Sequence, residues 1–310
     1  MLGPLCVGCC AFEVERHDPL CGAPDLWRLL GSAVCRSPSD RRHRLAIADS
    51  KKLKRHHSQR ATGHPLQHLE RGVLSFCRAM GVQTADDVAL FDHLEAQVPS
   101  QPWYDSSTPL PLAHQAVELD LAAGVLKRAM DAAGVRCVLM ACRMIPAEEL
   151  NRQVAKMGTK ASVNLCSVMW RIEALWRGWP ESHPRVVVDR LGGRIHYRRS
   201  LSVCFPGARI RVLAEGPALS RYRLQRNGSL LTVSFGPHAE DAHLPVALAS
   251  MIAKYVRDLM MLRMNRFFGS RLPELKPTAG YVADARRYLD QIGPLMKRLR
   301  ISPSRLIRRV

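Results

Sequence analysis

The chain has 310 residues, 47% of them hydrophobic, and its 46 Lys and Arg residues outnumber its 27 Asp and Glu residues, which gives a formal net charge of +19. This composition is typical of a globular protein with at least one full hydrophobic core, and it excludes an intrinsically disordered chain. The basic excess favours a polyanionic partner, with nucleic acid ahead of an anionic membrane surface, and no apolar run reaches the ~20 residues of a membrane span.

Ten cysteines raise the question of disulfides. The chain is long and mixed in composition, and no secretory signal peptide is recognisable, so we expect reduced thiols in the cytoplasm. Cys6, Cys9 and Cys10 have a C-x-x-C spacing, which is compatible with zinc. They lie inside an apolar run, however, and no second Cys or His pair has a matching spacing, so the run is interpreted as a strand.

In the first half of the chain, the pattern predicts one strand and several helices around basic loops. The apolar run at residues 5–14 is typical of a strand, and residues 25–30 begin a short helical stretch. Residues 54–60 are almost entirely basic and polar, which predicts a solvated, mobile loop. Apolar residues spaced by three and four predict helices at 64–80 and 112–133.

The second half alternates strands with helices. Strands are predicted at residues 134–140, 185–189, 209–215, 220–226 and 229–235. Helices are predicted at residues 146–176, 242–268 and 282–291. The last two strands flank Asn227-Gly228, the strongest hairpin signal in the chain. This order of elements indicates a mixed α/β sheet covered by helices.

Three carboxylates lie at the ends of predicted elements. Hydrolysis of a phosphodiester with divalent cations needs several carboxylate oxygens brought together from separate stretches of chain. Asp189 ends an apolar strand, where it can face a cleft at the sheet edge or simply begin the following turn. Glu240 and Asp241 precede the long helix, and Asp241 can instead cap the first amides of that helix. The residues themselves leave both interpretations open.

Four motifs along the chain carry a family resemblance. They are Ala48-Asp-Ser-Lys-Lys-Leu53, Val188-Asp189, Val246-Ala-Leu-Ala-Ser-Met-Ile-Ala-Lys254 with Arg257-Asp258, and Ala279-Gly-Tyr281. In order and rough spacing they resemble the type 2 ribonucleases H, the bacterial HII and HIII group. The first and third motifs are the distinctive ones, and the resemblance runs from residue 3 to about residue 295.

The resemblance implies an α/β fold, a ribonuclease H-like mixed β-sheet flanked by helices with a C-terminal helical extension. It assigns residues 1–295 to one domain with a longer helical insertion at about 55–130, and residues 296–310 to a basic C-terminal tail. The implied activity is metal-dependent cleavage of the RNA strand of RNA–DNA hybrids, with Mg²⁺ or Mn²⁺ as cofactor. The implied partners are RNA–DNA hybrids or DNA with embedded ribonucleotides, with no membrane, and no protein partner is inferred.

The resemblance also assigns roles to individual residues. Asp189 matches the family's third carboxylate and Glu240 its fourth, so both are expected to be catalytic metal ligands, and Asp241 stays a candidate ligand because an offset of one residue is easily misjudged. For Lys254 and Arg257, solvation on the helix surface is the alternative to contact with phosphate, and Asp258 is expected to pair with one of them. Residues expected to bind substrate are Asp49, Ser50, Lys51, Lys52, Lys254, Arg257 and Tyr281.

The chain departs from the family at its start. Residues 3–12 match the second strand, so the first strand, which ends in Asp-Glu, and the glycine-rich turn after it have no counterpart. About half of the expected metal ligands are then missing, and we expect little or no activity. The absent strand should be central, which would leave an inner sheet edge with unpaired amides and carbonyls. We expect Met1 to be an internal methionine of a longer reading frame, or the gene to be a degraded copy.

A second function remains open for a basic chain with an incomplete set of acids. It is a non-catalytic nucleic-acid-binding protein derived from the same family, which keeps the basic surface and has lost the metal site. A protein bound to a membrane surface is disfavoured, because no helix combines a basic face with a continuous apolar face outside the expected core.

Overall fold

Within residues 1–53 and 63–309, which the computed structural model describes, the chain forms eight β-strands and twelve α-helices, a mixed α/β fold. The strands are β1 (Leu5–Val14), β2 (Val34–Cys35), β3 (Leu45–Ala46), β4 (Val135–Ile145), β5 (Arg185–Asp189), β6 (Arg209–Glu215), β7 (Ser220–Arg226) and β8 (Ser229–Gly236). The helices are α1 (Leu26–Leu29), α2 (Ser50–Leu53), α3 (Gln67–Ala79), α4 (Asp87–His93), α5 (Ala116–Ala133), α6 (Ala147–Met157), α7 (Lys160–Gly178), α8 (Arg198–Cys204), α9 (Ala239–Ala242), α10 (Leu244–Gly269), α11 (Val282–Arg298) and α12 (Pro303–Leu306). The basic loop predicted at 54–60 lies outside the described residues.

Two separate sheets carry most of the strand residues. β1 pairs antiparallel with β4, and the other sheet has the order β5-β8-β7-β6. In that sheet β5 runs parallel to β8, while β8, β7 and β6 are antiparallel neighbours. Asn227 and Gly228 have φ of 52° and 80°, as the tight turn between β7 and β8 requires, so the predicted hairpin is confirmed.

Helix α10 forms the centre of the larger hydrophobic core. It was predicted at 242–268 and is buried on nearly every side rather than on one stripe, because it packs against β1, α3 and the 3-10 turn Pro102–Tyr104. Pro245 is tolerated near its start, where its missing N–H would have no partner within the helix. Gly8 of β1 lies directly on this helix, so the strand and the helix approach at backbone distance.

A second core lies between α7, α8 and the inner face of the four-stranded sheet. Tyr197 stacks on Phe235 with ring centroids 3.7 Å apart, and the indole N–H of Trp176 donates to the Ser229 hydroxyl at 2.7 Å. These contacts hold β8, and Val186 and Val188 of β5 pack against the same core.

The structure differs from the predicted elements in several places. The helix predicted at 146–176 is two helices, because Gly158 has a φ of 83° and Thr159 caps α7 by accepting from the Ser162 amide at 3.1 Å. Helix α4 was not predicted. Helix α11 continues to Arg298, so the boundary expected at residue 296 falls inside it.

The last described residues, in the expected basic C-terminal tail, pack against the rest of the chain. Arg308 is only 4% exposed, and its amide donates to the Met1 carbonyl at 3.0 Å. The Asn151 side chain donates to the Ile307 carbonyl at 2.8 Å. No helix in the described part of the chain is both long and apolar enough to cross a bilayer.

Candidate carboxylate site at the end of strand β5

Asp189, the last residue of β5, anchors the candidate site. Its Oδ1 accepts a hydrogen bond from the Ala239 amide at 3.2 Å, which ties the end of the strand to the start of α9. This contact joins two segments that are 50 residues apart. The alternative in which Asp189 only begins a turn therefore does not account for its position.

Glu240 lies beside Asp189 on α9. Burial raises the pKa of the Glu240 carboxyl, and the neighbouring charges of Asp189 and Asp49, together with a side-chain hydrogen bond to Asp189, raise it further. Its Oε2 is buried and has no hydrogen-bond partner. Because the two negative charges would repel each other, ionising both carboxylates costs electrostatic free energy. The site therefore favours either a proton shared between them or a bound cation.

The charge of Asp49, a residue expected to bind substrate, contributes to the raised pKa of the Glu240 carboxyl. The Asp49 Oδ1 accepts from the Lys51 amide at 3.0 Å, which fixes the start of α2. The Ser50 and Ser250 hydroxyls are 2.9 Å apart, so α2 is held against α10. An influence of Asp49 on Glu240 was not predicted, because the local context of Asp49 is a basic loop.

Asp241 occupies a different environment from Glu240. Lys52 Nζ lies 2.8 Å from Asp241 Oδ1, and the lysine lowers the pKa of the Asp241 carboxyl. Arg36 Nη1 also donates to the Asp241 carbonyl oxygen at 3.0 Å. Glu240 thus faces Asp189 and Asp241 faces Lys52, which makes Glu240 the better partner of Asp189. Arg36 was not predicted, since a single arginine in a basic loop carries no signal.

The residues of the helix signature and the tyrosine form a separate cluster. Lys254 Nζ lies 2.8 Å from Asp258 Oδ1, and Arg257 Nη1 lies 3.2 Å from the same oxygen, as expected for local pairing. Arg257 is buried and donates to the carbonyls of Leu2 and Ala279, so it is not solvated on a helix surface.

Tyr281 lies over both of these cations. Its ring centroid is 5.6 Å from Lys254 Nζ and 5.0 Å from the Arg257 guanidinium carbon. Burial alone would raise the pKa of Tyr281, but the charges of Lys254 and Arg257 outweigh burial and lower it. With its side chain 46% exposed, Tyr281 offers an aromatic face backed by positive charge.

The acidic residues fit a hard divalent cation in chemical type but not in number. Carboxylate oxygens are the ligands that Mg²⁺ and Mn²⁺ prefer. Within residues 1–53 and 63–309, no group of three or more His, Cys, Asp or Glu side chains is arranged to hold a metal ion. Asp189 and Glu240 alone therefore do not make a complete metal centre.

All ten cysteines are free, and burial raises the pKa of Cys9 to about 11, so the C-x-x-C spacing belongs to a strand.

Comparisons with known proteins found no relative whose role could be transferred to this chain. No protein-family model, no curated protein and no solved structure matches the chain. The assignment of function therefore depends on the geometry of the site.

Proposed function

We propose that the chain acts on RNA–DNA hybrids as a metal-dependent endonuclease of the ribonuclease H type, with a metal site that is incomplete within residues 1–53 and 63–309. The observation that carries the proposal is the meeting of Asp189 and Glu240. These acids come from distant stretches of chain, and Lys52 is paired with the adjacent Asp241. The buried Oε2 of Glu240 has no hydrogen-bond partner. A carboxylate oxygen in a structural ion network seldom lacks a partner when it is buried, whereas a cation site needs carboxylate oxygens that are free to bind the ion.

The positive side chains near the acids suit the substrate class. Lys51 and Lys52 are exposed on α2, where their charges can contact backbone phosphates. Tyr281 is half exposed and can lie against a sugar or base, while Lys254 and Arg257 hold its ring in place. The mixed α/β architecture with flanking helices is compatible with a ribonuclease H-like fold and supports the same proposal.

The cofactor we propose is Mg²⁺ or Mn²⁺. When bound, such a cation would activate water and stabilise the leaving oxygen. Glu240 must lose its proton to serve as a ligand, so its raised pKa makes cation binding strengthen as pH rises. Since Asp189 and Glu240 supply too few ligands for a complete metal site, we expect slow or undetectable turnover by this chain alone.

The test is cleavage of a labelled RNA–DNA hybrid, and of duplex DNA with one embedded ribonucleotide, with Mg²⁺ or Mn²⁺. Binding is measured in parallel by fluorescence anisotropy. We expect the hybrid to be bound in preference to duplex DNA, and any cleavage to require the cation and to disappear in Asp189→Asn. Equal affinity for hybrid and duplex DNA would refute the proposed substrate.

A second candidate function is non-catalytic binding of nucleic acid. It is favoured by the lack of a three-ligand group among the described residues. If the hybrid is bound selectively, and neither the cation nor Asp189→Asn changes its binding or its cleavage, this second function replaces the first. The unchanged protein and Asp189→Asn, tested with the same duplexes with and without the cation, therefore separate the two functions.

A further inference from the structure

The four-stranded sheet buries one face and carries arginines on the other. Its inner face packs into the core with α7 and α8 through alternate residues such as Ile210, Tyr222 and Val233. Because successive side chains of a strand point to opposite faces, the residues between them lie on the outer face. The arginines of this outer face, called the arginine face below, are Arg185, Arg209, Arg211, Arg221 and Arg223.

Three of these arginines lie in one row across the sheet. Arg185 of β5 is paired with Thr232 of β8, and Thr232 is paired with Arg223 of β7. Arg223 is in turn paired with Arg211 of β6. Like charges directly opposite each other on adjacent strands destabilise a sheet. An anion bound between Arg211 and Arg223 would relieve this repulsion.

The acids of the same four strands are engaged elsewhere. These acids are Asp189 and Glu215. Glu215 accepts a hydrogen bond from the Tyr222 hydroxyl of the inner core and pairs with His196. Asp189, at the end of β5, accepts from the Ala239 amide. Within the described chain, neither acid forms an ion pair with an arginine of the arginine face.

The part of the arginine face on β6 and β7 is open to solvent. Both arginines of β6 are exposed, and the two outer arginines of β7 are partly exposed. Arg221 Nε donates to the Ser234 hydroxyl at 3.1 Å, which holds this side chain along the sheet. Arg185 is less available, because its Nη2 donates to the Pro19 carbonyl at 2.6 Å. Burial, followed by the charges of Arg221 and Arg223, lowers the pKa of Arg185, as expected for cations that share one surface.

The arginine face continues to the candidate carboxylate site. A cavity of about 140 Å³ is lined by Arg185 and Arg221 of the sheet and by Ala239 of α9. The next residue of α9 is Glu240, whose carboxyl lies beside Asp189. A polyanion lying along the arginines would therefore reach a cavity that borders the two acids.

We propose that the arginine face binds the phosphate backbone of a nucleic acid and leads it to Asp189 and Glu240. The inference rests on the nucleic-acid substrate of the proposed function and names a surface that would hold this substrate. Guanidinium groups suit the role, because their N–H donors match the oxygen atoms of phosphate in geometry and charge. Contacts with phosphate carry no base information, so this surface would bind without regard to base sequence.

Packing is the alternative role for these arginines. Thr232 and Ser234 of β8 are only 1% and 4% exposed, and arginine stems can cover such residues. Packing needs the aliphatic stem but not the charge. Replacement by methionine keeps an apolar stem and removes the guanidinium group, so it separates the two roles.

The test compares two double variants of the full chain that lose the same charge. One combines Arg211→Met with Arg223→Met. The matched control combines Arg128→Met with Arg152→Met, because both of these arginines are exposed on helices outside the sheet. Fluorescence anisotropy at several salt concentrations measures the affinity for a labelled RNA–DNA hybrid and for duplex DNA. Sedimentation with vesicles that contain phosphatidylserine measures binding to an anionic membrane.

We expect the sheet variant to bind the hybrid about tenfold more weakly than the unchanged protein, with a slope of log affinity against log salt that is lower by about two. The control should bind within about twofold of the unchanged protein. The melting temperature of the sheet variant should be equal or higher, because a repulsion between paired strands is removed.

Variants that keep the charge or change one position support the same test. Arg211→Lys combined with Arg223→Lys should restore most of the affinity, since lysine also binds phosphate. If the double methionine variant does not fold, Arg211→Met alone decides, because Arg211 is exposed on β6, and its salt slope should be lower by about one.

Equal salt slopes for the sheet variant and the control would overturn the inference. So would vesicle binding that depends on Arg211 and Arg223 while hybrid binding does not. A retained preference for the hybrid without dependence on these arginines removes the inference alone. Equal affinity for hybrid and duplex DNA, with the dependence on arginine retained, removes the proposed substrate preference alone.

Discussion

Lys52 Nζ lies 2.8 Å from Asp241 Oδ1, although the two residues are 189 positions apart. The ion pair brings the Asp-Ser-Lys-Lys segment against α9 and so places the charge of Lys52 near Glu240. Both partners are more than half exposed, with side-chain accessibilities of 61% and 51%. The pair therefore positions charge near the acids more than it stabilises the fold.

Replacing Lys52 with Ala should weaken hybrid binding by roughly two- to fivefold and lower the slope of log affinity against log salt by about one. Thermal stability should be almost unchanged, because the ion pair is exposed. Lys127→Ala is the control, since Lys127 forms a similarly exposed pair with Asp131 on α5. Salt titrations of binding for both variants test this, and an equal loss in the two would show that the position of Lys52 has no special role.

Replacing Glu240 with Gln should stabilise the protein at neutral pH. The folded pKa of Glu240 is raised above its ordinary value of 4.5, so the favourable protonated form is fully present below that value. Stability is lost as pH rises through the raised pKa and the carboxylate ionises beside Asp189 and Asp49. The melting temperature of Glu240→Gln should exceed that of the unchanged protein by about 2 °C at pH 7, a gain limited by solvent screening, and should match it near pH 4.

The control for this pH dependence is Glu274→Gln, which changes an exposed carboxyl outside the site. Its melting temperature should follow that of the unchanged protein from pH 4 to pH 8. A Glu240→Gln variant that is less stable at every pH would mean that the carboxylate makes a favourable contact instead of a repulsive one.

Local signals in the sequence predicted much of the fold. The apolar run of β1, the Asn227-Gly228 turn and the spacing of α10 each depend on nearby residues, and each element forms close to its expected position. The break at Gly158 was missed because apolar spacing continues across it. Helix α4 was missed although Asp86 carries a cap signal, its Oδ1 accepting from the Ala89 amide at 2.9 Å.

The site was harder to predict because its geometry is set by contacts between distant segments. The sequence left both Glu240 and Asp241 as candidate metal ligands. A shift of one residue in the motif match changes which of the two side chains is expected to face Asp189. Asp241 pairs with Lys52, and this contact exists only in the folded chain. Among the described strands, β1 and β5 each pair with one neighbour, and both line the same cavity.

Breaking the ion pair between Asp87 and Arg263 should be strongly destabilising. Both side chains are buried, the Arg263 Nε–H donates to Asp87 Oδ2 at 2.8 Å, and Asp87 Oδ1 also accepts from the Thr108 amide at 2.8 Å. Asp87→Ala would leave the guanidinium unpaired in the core, at a cost of about 3–5 kcal/mol. Urea denaturation measures this loss. Asp131→Ala, which breaks an exposed pair, should change little, and similar losses in the two variants would refute the assigned role of burial.

Substituting Gly8 with Ala should reveal how closely β1 is pressed against α10. A Cβ at this position would lie 2.0 Å from the Ala249 carbonyl oxygen, a backbone atom that cannot rotate away. The strand or the helix must then shift, at a cost of about 1–3 kcal/mol. Gly178→Ala is the matched change, because nothing lies within 4 Å of its Cβ and Gly178 ends α7. It should leave stability unchanged or raise it by up to about 1 kcal/mol. Urea denaturation of both variants provides the test, and equal midpoints would mean that β1 and α10 are not in backbone contact.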